Sequence, residues 1–231
     1  MGKRITQQAR GKGSLTYRVK KRAYRYKISY PPLKVEGKGR IAKLINSSAH
    51  TAPIAKIQIG EESFYSPAAE GIFETQEMEI GKEIKPGNIS TLKEIPQGTR
   101  VFNIESTPGR GGKYLRSAGC FGVIMNKDSK GVEVIIKRRK LKLHENCRAT
   151  IGVVAGDGRK MKPFVKAGNK HHLMKSKGRK WHRTSAVKVN AIDHPFGGGR
   201  GKRIKSKIAK RNSPPGLKVG HIRPKRTGKR K

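Results

Sequence analysis

Between Val35 and Gly158 the chain alternates short apolar runs with breaks at glycine, at a period close to two residues. Gly39 to Asn46 (GRIAKLIN) sets Ile41, Leu44 and Ile45 among polar neighbours, and Ala52 to Gly60 (APIAKIQIG) repeats this with Ile54, Ile57 and Ile59. ESFYS and QEMEIG continue the series. A two-residue period bounded by turn formers predicts half-buried strands, and four or five of them within about 50 residues suit a small closed barrel, most economically an OB fold. After Pro86-Gly87 a second series follows: IPQGTRVFNIES carries Val101, Phe102 and Ile104, and AGCFGVIMNKDSKGVEVIIKRR reads as a hairpin turning at Asn126 to Gly131. LHENCRATIGVVAG closes a second all-β unit of barrel size.

Beyond Gly158 the strand signal fades. The first half of Lys166 to Asn190 fits one short helix with Asn169 as N-cap, and no defensible element follows Gly197. The pattern divides the chain into a basic arm over 1–34, a barrel over 35–82, a second barrel over 83–160 and an extension over 161–231.

Charge sharpens this division. The 231 residues hold 55 Lys+Arg against 15 Asp+Glu, a formal net charge of +40. Residues 1–35 carry eleven basic residues and no acid, 36–100 carry eight and nine, 101–157 carry eleven and five, and 158–231 carry 25 against Asp193 alone. A body near neutrality can bury a core, whereas ends this charged and poor in apolar residues call for a polyanionic partner to order them. There is no run of about 18 apolar residues to span a membrane and no secretory leader, and the basic stretches are too broken by Gly and Pro for a membrane-surface helix. Cys120 and Cys147 form no CxxC pair and read as isolated thiols of a reducing compartment.

Candidate contacts to nucleic acid follow from these basic segments. In the first arm Arg4, Arg10, Lys12, Arg18, Arg22 and Arg25 are interleaved with Tyr17, Tyr24, Tyr26 and Tyr30, which can stack on bases or anchor the arm to the body. GRGGKYLRSAGC, Gly109 to Cys120, offers Arg110, Lys113 and Arg116 among four glycines. Further on stand Lys170, His171, Arg179, Lys180, the only tryptophan, Trp181, and Arg183. Val189 to Lys202, VNAIDHPFGGGRGK, holds Asp193, His194, Gly197, Gly198, Gly199, Arg200 and Lys202, with Arg203 next. Pro195 argues against a helix here, and the glycines allow close backbone approach, so the stretch reads as an extended loop laid along phosphates.

Other chemistry is weaker. Asp193 could orient His194 as a general base, with Ser185 nearby in sequence, but neighbours in an extended segment point to opposite sides and no nucleophile elbow is present. His171, His172, His182 and Cys147 lack zinc-site spacing, so no metal of its own is expected, and any Mg²⁺ would be shared with the nucleic acid. No recognition helix or finger for duplex DNA is visible, and thin basic arms suit the crevices of a folded RNA.

VNAIDHPFGGG resembles the signature of the universal large-subunit ribosomal protein two family, and GRGGKYLRSAGCFG resembles that family's glycine-rich basic loop, with its core at Arg116 to Gly119. The resemblance covers essentially the whole chain and is closer to archaeal and eukaryotic members; where the family often has a second histidine, this chain has Phe196. It implies a mainly β protein, an OB-like barrel followed by an SH3-like barrel with basic extensions. It also implies a non-enzymatic primary binder of large-subunit ribosomal RNA near the peptidyl-transferase region of the cytoplasmic ribosome, supporting subunit association, tRNA placement and peptide-bond formation. Neighbouring ribosomal proteins and the small subunit are the further partners implied.

Overall fold

In the computed structural model, residues 2–128, 131–199 and 208–223 are described. They form two compact units, Lys21–Val165, and Met1–Lys20 together with Lys166–Lys231. These units cut across the four sequence segments, because the first arm divides near Lys20.

The Lys21–Val165 unit is β-rich, as the alternation predicts. Its strands are β1 (Gly37–Ile45), β2 (Ile54–Ile59), β3 (Glu62–Pro67), β4 (Glu77–Ile80), β5 (Ile89–Thr91), β6 (Arg100–Phe102), β7 (Ile104–Glu105), β8 (Gly112–Tyr114), β9 (Gly122–Asp128), β10 (Gly131–Ile136), β11 (Arg139–Leu143) and β12 (Arg148–Ile151). Ten of them form one sheet in the order β11-β10-β9-β6-β12-β5-β4-β1-β2-β3, while β7 and β8 pair separately. The sheet packs around two cores. Ile41, Ile57, Phe64, Met78, Ile80 and Ile89 pack in the first, and Leu92, Val101, Ile124, Val134, Leu143 and Ile151 in the second. These are the cores of an OB-like and an SH3-like half. Phe102 and Val154 join Ala52, Ala69 and Ala118 in a smaller third cluster. The halves meet where β4 and β5 pair in parallel at Ile80 and Ile89. Each fully buried Ile or Phe contributes about 1.5–3 kcal/mol, so the apolar runs read from sequence hold this unit together.

The flanking strands stay paired within the expected turn from Asn126 to Gly131. Pairing of β9 with β10 continues through Asn126 to Asp128 opposite Gly131.

The second unit contains α1 (Thr6–Gly11), α2 (Ala167–Ser176), β13 (Ile208–Ala209) and β14 (His221–Ile222). The short helix is present, but its N-cap is Lys166, and Asn169 lies inside it with its N–H on Lys166 O at 3.2 Å. The helix thus starts upstream of Gly168. β13 and β14 pair in parallel in a region where the apolar pattern gave no element. A two-residue strand is too short to register as a period. No helix among the described residues is long and apolar enough to cross a membrane.

Candidate nucleic-acid interface

The unit formed by the two ends gathers most of the sequence-derived candidates. Arg4, Lys180, Arg183, Asp193 and His194 line one cleft of about 330 Å³, together with His182. Arg10, Arg179, Lys180, Trp181 and Arg183 line a second of about 370 Å³. Cations far apart in sequence thus converge, while the acid in the first cleft is Asp193. Trp181 is half-buried, with the His182 ring 4.0 Å away and the Lys170 ammonium 5.4 Å above its face. An indole between a cation and an imidazole is held as a platform rather than left to rotate. His171 is exposed on α2 and stacks edge-on against His172, and Lys12 is exposed just after α1. Arg18 is exposed in the stretch Tyr17–Val19 that passes Gly178.

The stretch around Asp193 departs from the expected extended loop. Asn190 O accepts the N–H groups of both Asp193 and His194, at 3.0 and 3.3 Å. Gly197 N–H donates to His194 O at 2.9 Å, and Gly198 N–H donates to Val189 O at 3.1 Å. The chain therefore closes into successive turns, with Pro195 after the first of them; Asn190 supplies the turn-forming start that outweighs proline's preference for extension. Phe196 N–H donates to His194 Nδ1 at 3.0 Å, and His194 is buried at 7% exposure. With Nδ1 accepting, the neutral ring carries its proton on Nε2. Asp193 stays exposed, so no Asp–His catalytic pairing is formed.

The glycines also serve a different end from the one expected. A Cβ on Gly197 would lie 2.2 Å from Asn190 O, and one on Gly198 would lie 2.8 Å from Ala191 Cβ. What approaches closely is the chain itself, the Asn190 backbone at Gly197 and the Ala191 side chain at Gly198. Gly199 is exposed with φ 155°. Arg200, Lys202 and Arg203 lie outside the described residues.

In the Lys21–Val165 unit Arg22, Arg25, Arg110 and Lys113 are exposed. Arg116 is half-buried, donating through Nη1 to Gly112 O at 3.1 Å and Nη2 to Ile28 O at 3.5 Å. Its neighbours are structural too: buried Ala118 donates its N–H to Thr51 Oγ1, and Gly119 N–H donates to Val154 O. Of the loop's three cations, Arg110 and Lys113 face solvent.

A buried ion pair outside the sequence-derived candidates holds this loop. Glu105, fully buried, accepts from Gly109 N–H at 3.3 Å, Gly111 N–H at 3.0 Å, Arg148 N–H at 3.0 Å and Arg148 Nη2 at 3.0 Å. Arg148 in turn donates to Pro31 O at 2.8 Å, and its guanidinium lies 5.2 Å from the Tyr30 ring centre. The Tyr30 hydroxyl donates to Asn103 O at 2.8 Å and is 2.7 Å from Thr150 Oγ1, and burial holds its phenol well above the usual tyrosine range. Tyr30 is thus an anchor, not a stacking platform. The available signal was an acid and an arginine inside the apolar runs VFNIES and CRATI. Among the described residues no group of three or more His, Cys, Asp or Glu is placed to hold a metal.

A nearly neutral β-rich body in a chain of net charge +40, with the cations of both ends lining shared clefts, defines a β-barrel protein built for a polyanion. Comparison with known proteins narrows the class. Residues 85–216 match the family model described as Ribosomal Proteins L2, C-terminal domain. The whole chain is 47% identical over 239 residues to the complete large ribosomal subunit protein uL2 of Archaeoglobus fulgidus, and 45% identical over 242 residues to that of Methanocaldococcus jannaschii, again complete. It is 43% identical to the Haloarcula marismortui protein of the same name, covering 99% of this chain and 98% of that one. The chain belongs to the uL2 family of large-subunit ribosomal proteins, structural proteins rather than enzymes.

Proposed function

We propose that this protein is a primary binder of large-subunit ribosomal RNA near the peptidyl-transferase region, where it braces the RNA that performs the chemistry. The carrying observation is the cleft shared by Arg4, Lys180, Arg183 and the folded Asp193–His194 turn. Three cations in one concave surface suit the closely spaced phosphates of a folded RNA. In this role the described residues supply positive charge, a stacking platform at Trp181 and an Nε2 donor on His194. Arg110 and Lys113 add a second contact from the body. Subunit association and tRNA placement follow from ordering that RNA, and neighbouring ribosomal proteins and the small subunit are the further partners. Any Mg²⁺ at the interface is shared with RNA phosphates and needs no protein ligand set of its own. The place of action is the cytoplasmic ribosome.

His194 is a positioning group in this reading, because its Nδ1 is engaged by Phe196 N–H and Asp193 is exposed while His194 is buried. Large subunits assembled with His194→Ala are expected to retain peptide transfer, with weakened protection of the contacted RNA in chemical footprinting. Loss of peptide transfer in fully assembled subunits with an unchanged footprint would refute the supporting role.

A further inference from the structure

The first twenty residues meet the C-terminal part of the chain at three separated points. Lys3 N–H donates to Ile192 O at 2.8 Å, and a Cβ on the adjoining Gly2 would stand 3.2 Å from that same oxygen. Gln8 lies against Gly216, where a Cβ would be 3.0 Å from Gln8 Nε2. Gly178, at φ +61°, passes so close to Tyr17–Val19 that a Cβ would be 2.9 Å from the Arg18 carbonyl carbon. Between the first two points Ile5 is buried at 5% exposure, and Gln8 Oε1 accepts the Ile5 N–H at 3.0 Å.

The first of these points abuts the Asp193–His194 turn. That turn has few bonds of its own, each contributing about 0.5–1.5 kcal/mol, against about 1–2 kcal/mol of backbone entropy per ordered residue. Left alone it is too weakly held to keep one shape. We infer that the segment Gly2–Val19 is a clasp that positions the Asp193–His194 turn, gripping it at Ile192 and being gripped in turn at Gly216 and Gly178. The grip at Ile192 is made by the Lys3 main chain, so the identity of that side chain is immaterial to it. This goes beyond RNA binding, since the clasp is made within the chain.

The test uses the free full-length protein, labelled with ¹⁵N, read by amide hydrogen exchange and by the imidazole nitrogen shifts of His194. Lys3→Pro removes the donor to Ile192 O, Lys3→Ala keeps it, and Gly178→Val drives a side chain into the Tyr17–Val19 backbone at the far end of the clasp. Lys3→Pro and Gly178→Val are expected to speed exchange at the His194, Gly197 and Gly198 amides by about tenfold or more. They should also abolish the shift pattern of a His194 Nδ1 acceptor. Lys3→Ala should change neither readout, and the amides of β2 and β12 should stay protected throughout, showing that the body is folded. Unchanged turn amides in both Lys3→Pro and Gly178→Val overturn the clasp, as does an effect of Lys3→Ala equal to that of Lys3→Pro. Because RNA affinity is not read, failure here leaves the ribosomal assignment standing.

Discussion

In Lys21–Val165 the side chains of Ile54, Ile89, Phe102 and Ile124 are closed to solvent, whereas in the unit made by the two ends the buried apolar side chains among the described residues are Ile5 and Ala209. The first unit is held by apolar burial on a sheet with defined register. The second relies on main-chain bonds and on glycines that admit neighbouring backbone, as at Gly178 and Gly197. Their charges differ in the same direction: the described part of the end unit has Asp193 as its sole acid, while the body carries its acids among its bases. A region without an apolar core is ordered by geometry and counter-charge. Its weak points are therefore backbone donors and ionic strength, while the body's are buried groups and packing.

The largest expected effect lies in the body. Glu105→Ala removes a carboxylate that is fully buried and leaves the guanidinium of Arg148, a residue 4% exposed, without its anion. Two glycine-loop N–H groups lose their acceptor as well. Stripping one partner from a buried ion pair costs about 3–5 kcal/mol, so the urea midpoint should fall by that equivalent. Exchange at the Asp193–His194 turn should be untouched. A loss under about 1 kcal/mol would show that the pair does not hold the loop.

The same contrast explains what the sequence disclosed. Ile54, Ile57 and Ile59 announce β2 because a half-buried strand places apolar side chains near a period of two, whereas β12, buried at all four positions, and the three-residue β5 leave no such alternation. The Asp193–His194 turn leaves none either. Its bonds run to Asn190 O and Val189 O, and its closeness to Lys3 is a contact across almost the whole chain. Composition locates such a segment and its cations but does not set its path, so the residues of the clefts were legible and their convergence was not. Glu105 and Arg148 were hidden for a related reason: in sequence each is one more charged residue, and only the fold places them 3.0 Å apart.

Replacing Arg4, Lys180 and Arg183 together by alanine probes the end unit, where charge rather than packing is at stake. If each neutralises one phosphate, the log–log dependence of RNA affinity on salt should flatten by about 2–3. Between 50 and 200 mM salt the variant should then lose roughly 20- to 40-fold less affinity than the parent, while already binding more weakly at low salt. Thermal unfolding of the body should not move. A slope equal to the parent's would remove the cleft from the interface.

The smallest effect tests burial through pH. Tyr30 is buried and its phenol is held above the usual value chiefly by desolvation, with its hydroxyl hydrogen-bonded to Asn103 O and Thr150 Oγ1. In the unfolded chain the phenol releases its proton near pH 10, whereas the folded protein retains it to higher pH. Above about pH 10 the folded state therefore binds more protons than the unfolded one, and stability must fall as pH rises, by up to about 1.4 kcal/mol per pH unit from this group alone. Below that pH the contribution is constant. Tyr30→Phe abolishes the term but strands a buried acceptor, Asn103 O, and a buried donor, the Thr150 hydroxyl, so the variant should be about 1–2 kcal/mol less stable at pH 7. Its stability should also decline less steeply than the parent's between about pH 10 and 11.5, measured by urea unfolding at each pH. Lysines titrating in that range act on both proteins, so the difference between the two curves isolates the phenol. Parallel curves would mean that Tyr30 is open to water in solution, and that the first arm is not fastened to the body at this point.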